Sequence, residues 1–225
     1  MNSKKNKLSH EIFLTLRDRI VYLDYQPETV LSEKELCKEF QVSRTPLREA
    51  ILWLEEMNLV RSIPRYGTYV THIDLIEIRN NYEVKIHLEA LAGILSAKRI
   101  TVDGVKKLEA LTDDLIVATK EINIRKMFDC DFKFHEIIWK STGNQVLEKM
   151  LNNIHACCLR FCMVTIPQSD WSMDNANELR AIYEAIKDRN EQRAESLLIQ
   201  HNQRFFNLIK TSSFESTNAL KSGIQ

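Results

Sequence analysis

Asp131 and His135 stand four residues apart in the run Asp131-Phe132-Lys133-Phe134-His135, where apolar spacing is helical, so a carboxylate and an imidazole share one helix face. His201, on a later helical stripe, is placed to close the same site from across a bundle. One carboxylate and two imidazoles suit zinc, nickel or manganese. The same side chains also suit a polar pocket of hydrogen-bonded histidines that holds no ion. A second grouping, His155 with Cys157, Cys158 and Cys162, is spread around a helix by its spacing and has no paired CxxC pattern. The five cysteines, which include Cys37 and Cys130, are therefore read as buried reduced thiols.

A different chemistry lies nearer the N-terminus. Ser43, Arg44, Thr45 and Arg48 cluster at the start of a helical stripe. Arg44 and Arg48 share a face, and Leu47, Ala50, Ile51 and Leu54 occupy the opposite one. An arginine can pair bidentately with guanine, and a hydroxyl or a free amide at a helix start can hold a phosphate. Lys34 on the preceding helix and Arg65 in a following turn extend this positive edge on both sides. Such charge must act locally, because the chain balances 31 basic against 31 acidic residues.

These groups need elements to position them. Leu8, Ile12, Leu16, Ile20 and Leu23 predict a first helix ending before Pro27. Ser32, with Glu35 three residues on, predicts a capped second helix, and Ser43 predicts the start of a third that tolerates Pro46 in its first turn. Residues 59–63 and 68–70 read as two short strands around Pro64, Arg65, Tyr66 and Gly67. A short helix, a tight turn, a second helix and a β-wing make a winged helix-turn-helix, whose second helix enters the major groove. Beyond it, helical stripes run over 75–99, 102–120, 124–141, 145–164, 174–188 and 191–211, with Gly104, Gly143, Pro167 and Asn190 near the breaks.

The expected fold is mainly α. A winged helix-turn-helix spans 1–72, an all-helical bundle 73–212, and a tail over 213–225, rich in Ser, Thr and Asn, is expected to be disordered. No stretch approaches the roughly 20 apolar residues of a membrane helix, and charges interrupt the apolar residues after Leu8, so neither a membrane span nor a signal peptide is expected. A cytoplasmic location follows as an expectation.

The run from Leu31 to Val60, with Val42-Ser43-Arg44-Thr45-Pro46-Leu47-Arg48-Glu49-Ala50 at its centre, and the later Pro64-Arg65-Tyr66-Gly67-Thr68-Tyr69-Val70 resemble the winged-helix signature of GntR-family transcriptional regulators. The resemblance implies operator binding as a homodimer on an inverted repeat, with Lys34, Ser43, Arg44, Thr45, Arg48, Arg65 and Gly67 at DNA-contacting positions. Glu28 departs from the family's frequent glycine, which implies a changed turn. Residues 75–211 resemble the all-helical FCD-type domain of the FadR subfamily, carried by Asn81 to Lys85, Asp131 to His135, Ser141 to Asn144, Glu178 to Ile186 and Ala194 to His201. In relatives that bind metal the set is one Asp and three His. Leu179 here matches one of those histidines, so the resemblance leaves three ligands. Lys85 takes the place of a frequent arginine, which implies pairing with an anionic effector.

The function expected is a sequence-specific, DNA-binding repressor that is not an enzyme and that responds to a small carboxylate metabolite. Two other classes remain open at this point. A metal-dependent hydrolase would use Asp131, His135 and His201 around an activated water, but no well-placed general base follows the motif. A ligand-independent nucleic-acid-binding protein would not need a polar cluster inside a helical domain.

Overall fold

The computed structural model describes the backbone of residues 2–165 and 173–222 and the side chains of 7–164 and 173–207. Pro167, expected at a helix break, lies outside the described residues. The chain groups into two compact units, Met1–Ile78 with Asn153–Met163, and Arg79–Asn152 with Val164–Gln225.

The first unit is built on α1 (Asn2–Val21), α2 (Glu33–Glu39) and α3 (Arg44–Glu56). Ile12, Leu16 and Ile20 of α1 and Leu47, Ala50, Ile51 and Leu54 of α3 are buried where the two helices pack together. Each of these leucines and isoleucines contributes about 1.5–3 kcal/mol by leaving water. Ser32 caps α2 by accepting the Glu35 N–H at 3.3 Å. Ser43 holds the N-cap position of α3, but its hydroxyl makes no capping bond.

Three antiparallel strands complete the unit in the order β1 (Val30–Leu31), β3 (Gly67–Val70), β2 (Val60–Ile63). The pairs Val60 with Val70 and Ile63 with Gly67 set the register of the wing. β1 was not expected, since two residues carry no alternation to read. Glu28 adopts φ 68 and donates its N–H to Val70 O at 2.8 Å. The turn thus keeps the left-handed conformation that a glycine would supply, with a side chain carrying the strain.

The second unit contains the remainder of α4 (Leu75–Arg99), then α5 (Val102–Lys120), α6 (Ile124–Ser141), the start of α7 (Gln145–Thr165), α8 (Met173–Lys187) and α9 (Glu191–Ser222). α5 packs on α6 and α8, and α8 packs on α9. Thr101 and Asn123 cap α5 and α6 through their side chains, and Ile122 and Arg189 close α5 and α8 in left-handed conformations. Gly93 lets α9 approach α4, because a Cβ there would stand 2.8 Å from Leu198 Cδ1 and 3.0 Å from Ala194 O. The backbone of α9 stays helical to Ser222, through most of the stretch expected to be a disordered tail, and 223–225 lie outside the described residues. The helix formers Ala219, Leu220 and Lys221 are compatible with that extension.

The expected boundary at residue 72 precedes α4, whereas the units divide within α4, after Ile78. Residues 153–163 of α7 join the first unit. Arg160 there donates from Nη2 to Thr71 Oγ1 and His72 O, each at 3.1 Å, and the Cys157 thiol donates to Met57 O at 3.2 Å.

Candidate functional site

The helix-turn-helix presents its charged residues outward. Pro46, Leu47, Ala50, Ile51 and Leu54 bury one face of α3, which leaves Ser43, Arg44, Thr45 and Arg48 exposed. Lys34 is exposed on α2, and Arg65 is exposed at the tip of the wing with φ 69. Gly67, at φ 108, begins β3 and lets the hairpin turn back. Arg44 makes no ion pair among the described residues. Arg48 differs: its Nε donates to both Glu33 oxygens, at 3.1 Å and 3.3 Å.

A second site lies inside the helical unit. Its first two members, Asp131 and His135, sit on the buried face of α6 among Phe128, Phe132, Phe134 and Trp139, and His201 sits on the buried face of α9. The potential ligand atoms of Asp131, His135 and His201 lie within 4.8 Å of one another. His135 Nε2 and His201 Nε2 face each other at 3.3 Å. Two nitrogens each about 2.0–2.1 Å from one ion stand roughly 3.0–3.4 Å apart, so this spacing fits a shared cation. Asp131 Oδ1 is buried without a hydrogen-bond partner among the described residues. An uncompensated buried carboxylate oxygen costs several kcal/mol, on the order that a cation would relieve. The donor set fits a divalent metal.

Carboxylates stand behind both rings. His135 Nδ1 lies 3.2 Å from Glu89 Oε1, and His201 Nδ1 lies 2.9 Å from Glu178 Oε2. This arrangement leaves the two Nε2 atoms facing one another and orients the imidazoles as a metal site requires. Arg204 Nε holds the other Glu178 oxygen at 2.8 Å. Burial pushes His201 down, against the opposing effect of its hydrogen bond to Glu178. For Glu178 and Glu89, burial acts to raise the carboxyls, and the neighbouring cations and hydrogen bonds outweigh it, so both are held below the usual carboxylate range.

Glu89 was missed by sequence reasoning. It is fully buried on α4, with Trp139 Nε1 donating to Oε2 at 3.1 Å and Lys85 Nζ 3.4 Å from Oε1. Lys85, expected to meet an anionic effector, is itself buried, ion-paired with Glu89 and hydrogen-bonded to Asn202 Oδ1. A signal existed in the sequence. Tyr82, Lys85, Glu89, Ala92 and Ser96 follow one helical stripe, so two charges fall on a face that is otherwise suited to the interior.

Leu179 is fully buried on α8, next to Glu178. His155 is buried on the part of α7 that belongs to the first unit, whereas the Asp131 group belongs to the second. Burial pushes the Cys157 and Cys130 thiols up to about 11, which makes both poor nucleophiles. Among the described residues no helix is long and apolar enough to cross a membrane.

The chain matches the bacterial regulatory proteins of the gntR family over residues 8–70 and the FCD domain over residues 80–204. It is 25% identical over 211 residues to the HTH-type transcriptional repressor RspR of Escherichia coli (strain K12), covering 94% of this chain and 92% of that protein. It is also 28% identical over 151 residues to the gluconate operon transcriptional repressor of Bacillus subtilis (strain 168), covering 67% of this chain and 62% of that one. The fold is similar to that of the solved E. coli McbR/YncC structure, with a TM-score of 0.80 at 17% identity over 92% of this chain and 98% of the other. These likenesses are to regulators rather than enzymes and support a non-catalytic role.

Proposed function

Because the chain belongs to the gntR family of bacterial regulatory proteins and carries an FCD domain, it is a sequence-specific DNA-binding transcriptional regulator, and we propose that it is a repressor of the FadR subfamily responding to an anionic metabolite. It binds an inverted-repeat operator as a homodimer, since one recognition helix reads only a few base pairs and two-fold symmetry doubles them. Lys34, Ser43, Arg44, Thr45, Arg48, Arg65 and Gly67 form the DNA-contacting surface.

The metabolite site is the buried cluster, and the observation that carries this reading is the orphaned Asp131 Oδ1 beside two facing imidazole nitrogens. Asp131, His135 and His201 would hold a divalent zinc, nickel or manganese ion, which when bound supplies an anchor for an oxyanion. Charge bookkeeping favours a monoanion. Lys85 and Glu89 neutralise one another and Asp131 offsets one of two metal charges, which leaves a single positive charge for the guest. A carboxylate suits that vacancy, and the relative named for a gluconate operon points toward the same chemistry. Glu89 and Glu178 orient the rings, and the apolar side chains around them exclude water.

The test begins with DNA selected from a random library by the full-length protein. Carboxylate metabolites, sugar acids first, are then screened for release of the selected duplex with and without zinc, nickel or manganese. Metal titrations of the wild type, Leu179→His and His201→Ala accompany the screen. Leu179→His is expected to tighten metal binding by restoring an imidazole, and His201→Ala to weaken it. If neither variant changes metal binding or effector response, the three residues are structural.

A further inference from the structure

Arg44 and Arg48 lie on the same exposed face of α3, yet the structure treats them differently. Arg44 has no ion-pair partner among the described residues, whereas Arg48 is tied to Glu33 on α2. The tie uses only one edge of the guanidinium. Both carboxylate oxygens accept from Nε, at 3.3 Å and 3.1 Å, and the four N–H groups on Nη1 and Nη2 donate no bond to Glu33. Those are the groups an arginine uses for a two-pronged approach to the O6 and N7 acceptors of guanine. The Arg48 side chain is 61% exposed, so without Glu33 it would sample many rotamers and the nearest phosphates.

We propose that Glu33 is a positioning residue for base recognition: it holds Arg48 by Nε, aims the remaining fork at a base edge, and repels the DNA backbone from that spot. Glu33 therefore lowers non-specific affinity while raising specific affinity, so it contributes discrimination rather than binding strength. Arg44, unrestrained, supplies affinity with less discrimination. The inference rests on DNA binding by this helix-turn-helix and on no property of the buried site.

The experiment is a double-mutant cycle on the full-length protein with E33A, R48A and the E33A/R48A pair. Binding is measured on the duplex selected by the wild type and on a scrambled duplex at one fixed salt concentration. E33A is expected to weaken operator binding by roughly tenfold and to leave scrambled-duplex binding unchanged or tighter. The double variant is expected to bind the operator no worse than R48A alone. Repeating the random-library selection with E33A and with R48A should erase base preference at the same position. Thermal melts check folding, and if E33A melts early, E33Q takes its place with the same pattern expected at smaller amplitude.

Three outcomes overturn the proposal. Tighter binding of E33A to operator and scrambled duplex alike makes Glu33 a mere repellent. Additive losses in the double variant mean that it does not act through Arg48. An unchanged base preference in E33A means that it positions nothing. Failure of the wild type itself to select any sequence is a separate result, which would strike the DNA-binding reading instead.

Discussion

Glu89→Gln keeps the shape of the side chain and deletes its charge, leaving Lys85, whose side chain is 4% exposed, without its carboxylate. Removing one partner of a buried pair costs about 3–5 kcal/mol, because the other charge stays desolvated. The glutamine carbonyl can still accept the Trp139 Nε1–H, now 3.1 Å from Glu89 Oε2, which retains about 1 kcal/mol. The expected net loss is about 2–4 kcal/mol. A companion variant, Lys85→Met with Glu89→Gln, removes both charges at nearly constant volume. It is expected to recover most of the loss, since apolar replacements of buried pairs are often close to neutral. Urea titrations of the metal-free protein by far-UV circular dichroism measure the stabilities. Zinc titrations add a second readout: His135 loses the carboxylate 3.2 Å from Nδ1, and affinity should fall about 10–100-fold. A cost below about 1 kcal/mol for Glu89→Gln, or a double variant as damaged as the sum of its parts, would refute the claim that this pair is desolvated and coupled.

Acidification should weaken the metal-free protein in two steps. Burial pushes His201 down, so an unfolded histidine binds its proton at a higher pH than the folded one, and stability falls as pH drops below about 6.5. Glu178 and Glu89 are held below the carboxylate range, so their contribution is full above about pH 4.3 and is lost as pH falls further. Melting temperatures at pH 7.5, 6, 5, 4 and 3 should therefore decline, and His201→Gln should flatten the part of that decline above pH 5; a flat wild-type profile over the whole range would contradict both assignments. Glu28→Gly should stabilise the first unit by about 0.5–1 kcal/mol, because relief of the strain at φ 68 exceeds the added freedom of the unfolded chain. Urea titration reads this change, operator affinity should not move, and destabilisation would show that the Glu28 side chain contributes more than its backbone strain costs.

Long helices were readable because their apolar residues repeat over many turns. The stripes expected at 102–120 and 124–141 match α5 and α6 residue for residue. The winged helix was equally plain from the serines at its helix starts and from its turn residues. Local signals could not show how the units divide, since the apolar stripe of α7 runs unbroken through Asn152 and Asn153, where its residues change unit. Spacing brought Asp131 and His135 together, and the closed bundle brought His201 to them. The carboxylates behind the rings were harder to see. Glu89 and Glu178 look like ordinary helix charges until α6 and α9 are packed against them, because a glutamate is as compatible with water as with a buried partner. The role expected of Lys85 suffered in the same way, since its nearest anion comes from its own helix, one turn on.

Gly93 gives the buried cluster a remote adjustment. α4 brings Lys85 and Glu89, α9 brings His201 and Asn202, and one to two turns away the two helices approach each other where a single hydrogen replaces a side chain. A methyl group at that crossing would have to push Leu198 aside or move one helix outward, and the second response opens the gap around the imidazoles like a wedge driven at a distance. Under the proposed ligand reading, the size of guest that fits can therefore change through Gly93 with no change in the cluster itself. Such a position alters clearance around His135 and His201 while every charge of the cluster stays in place.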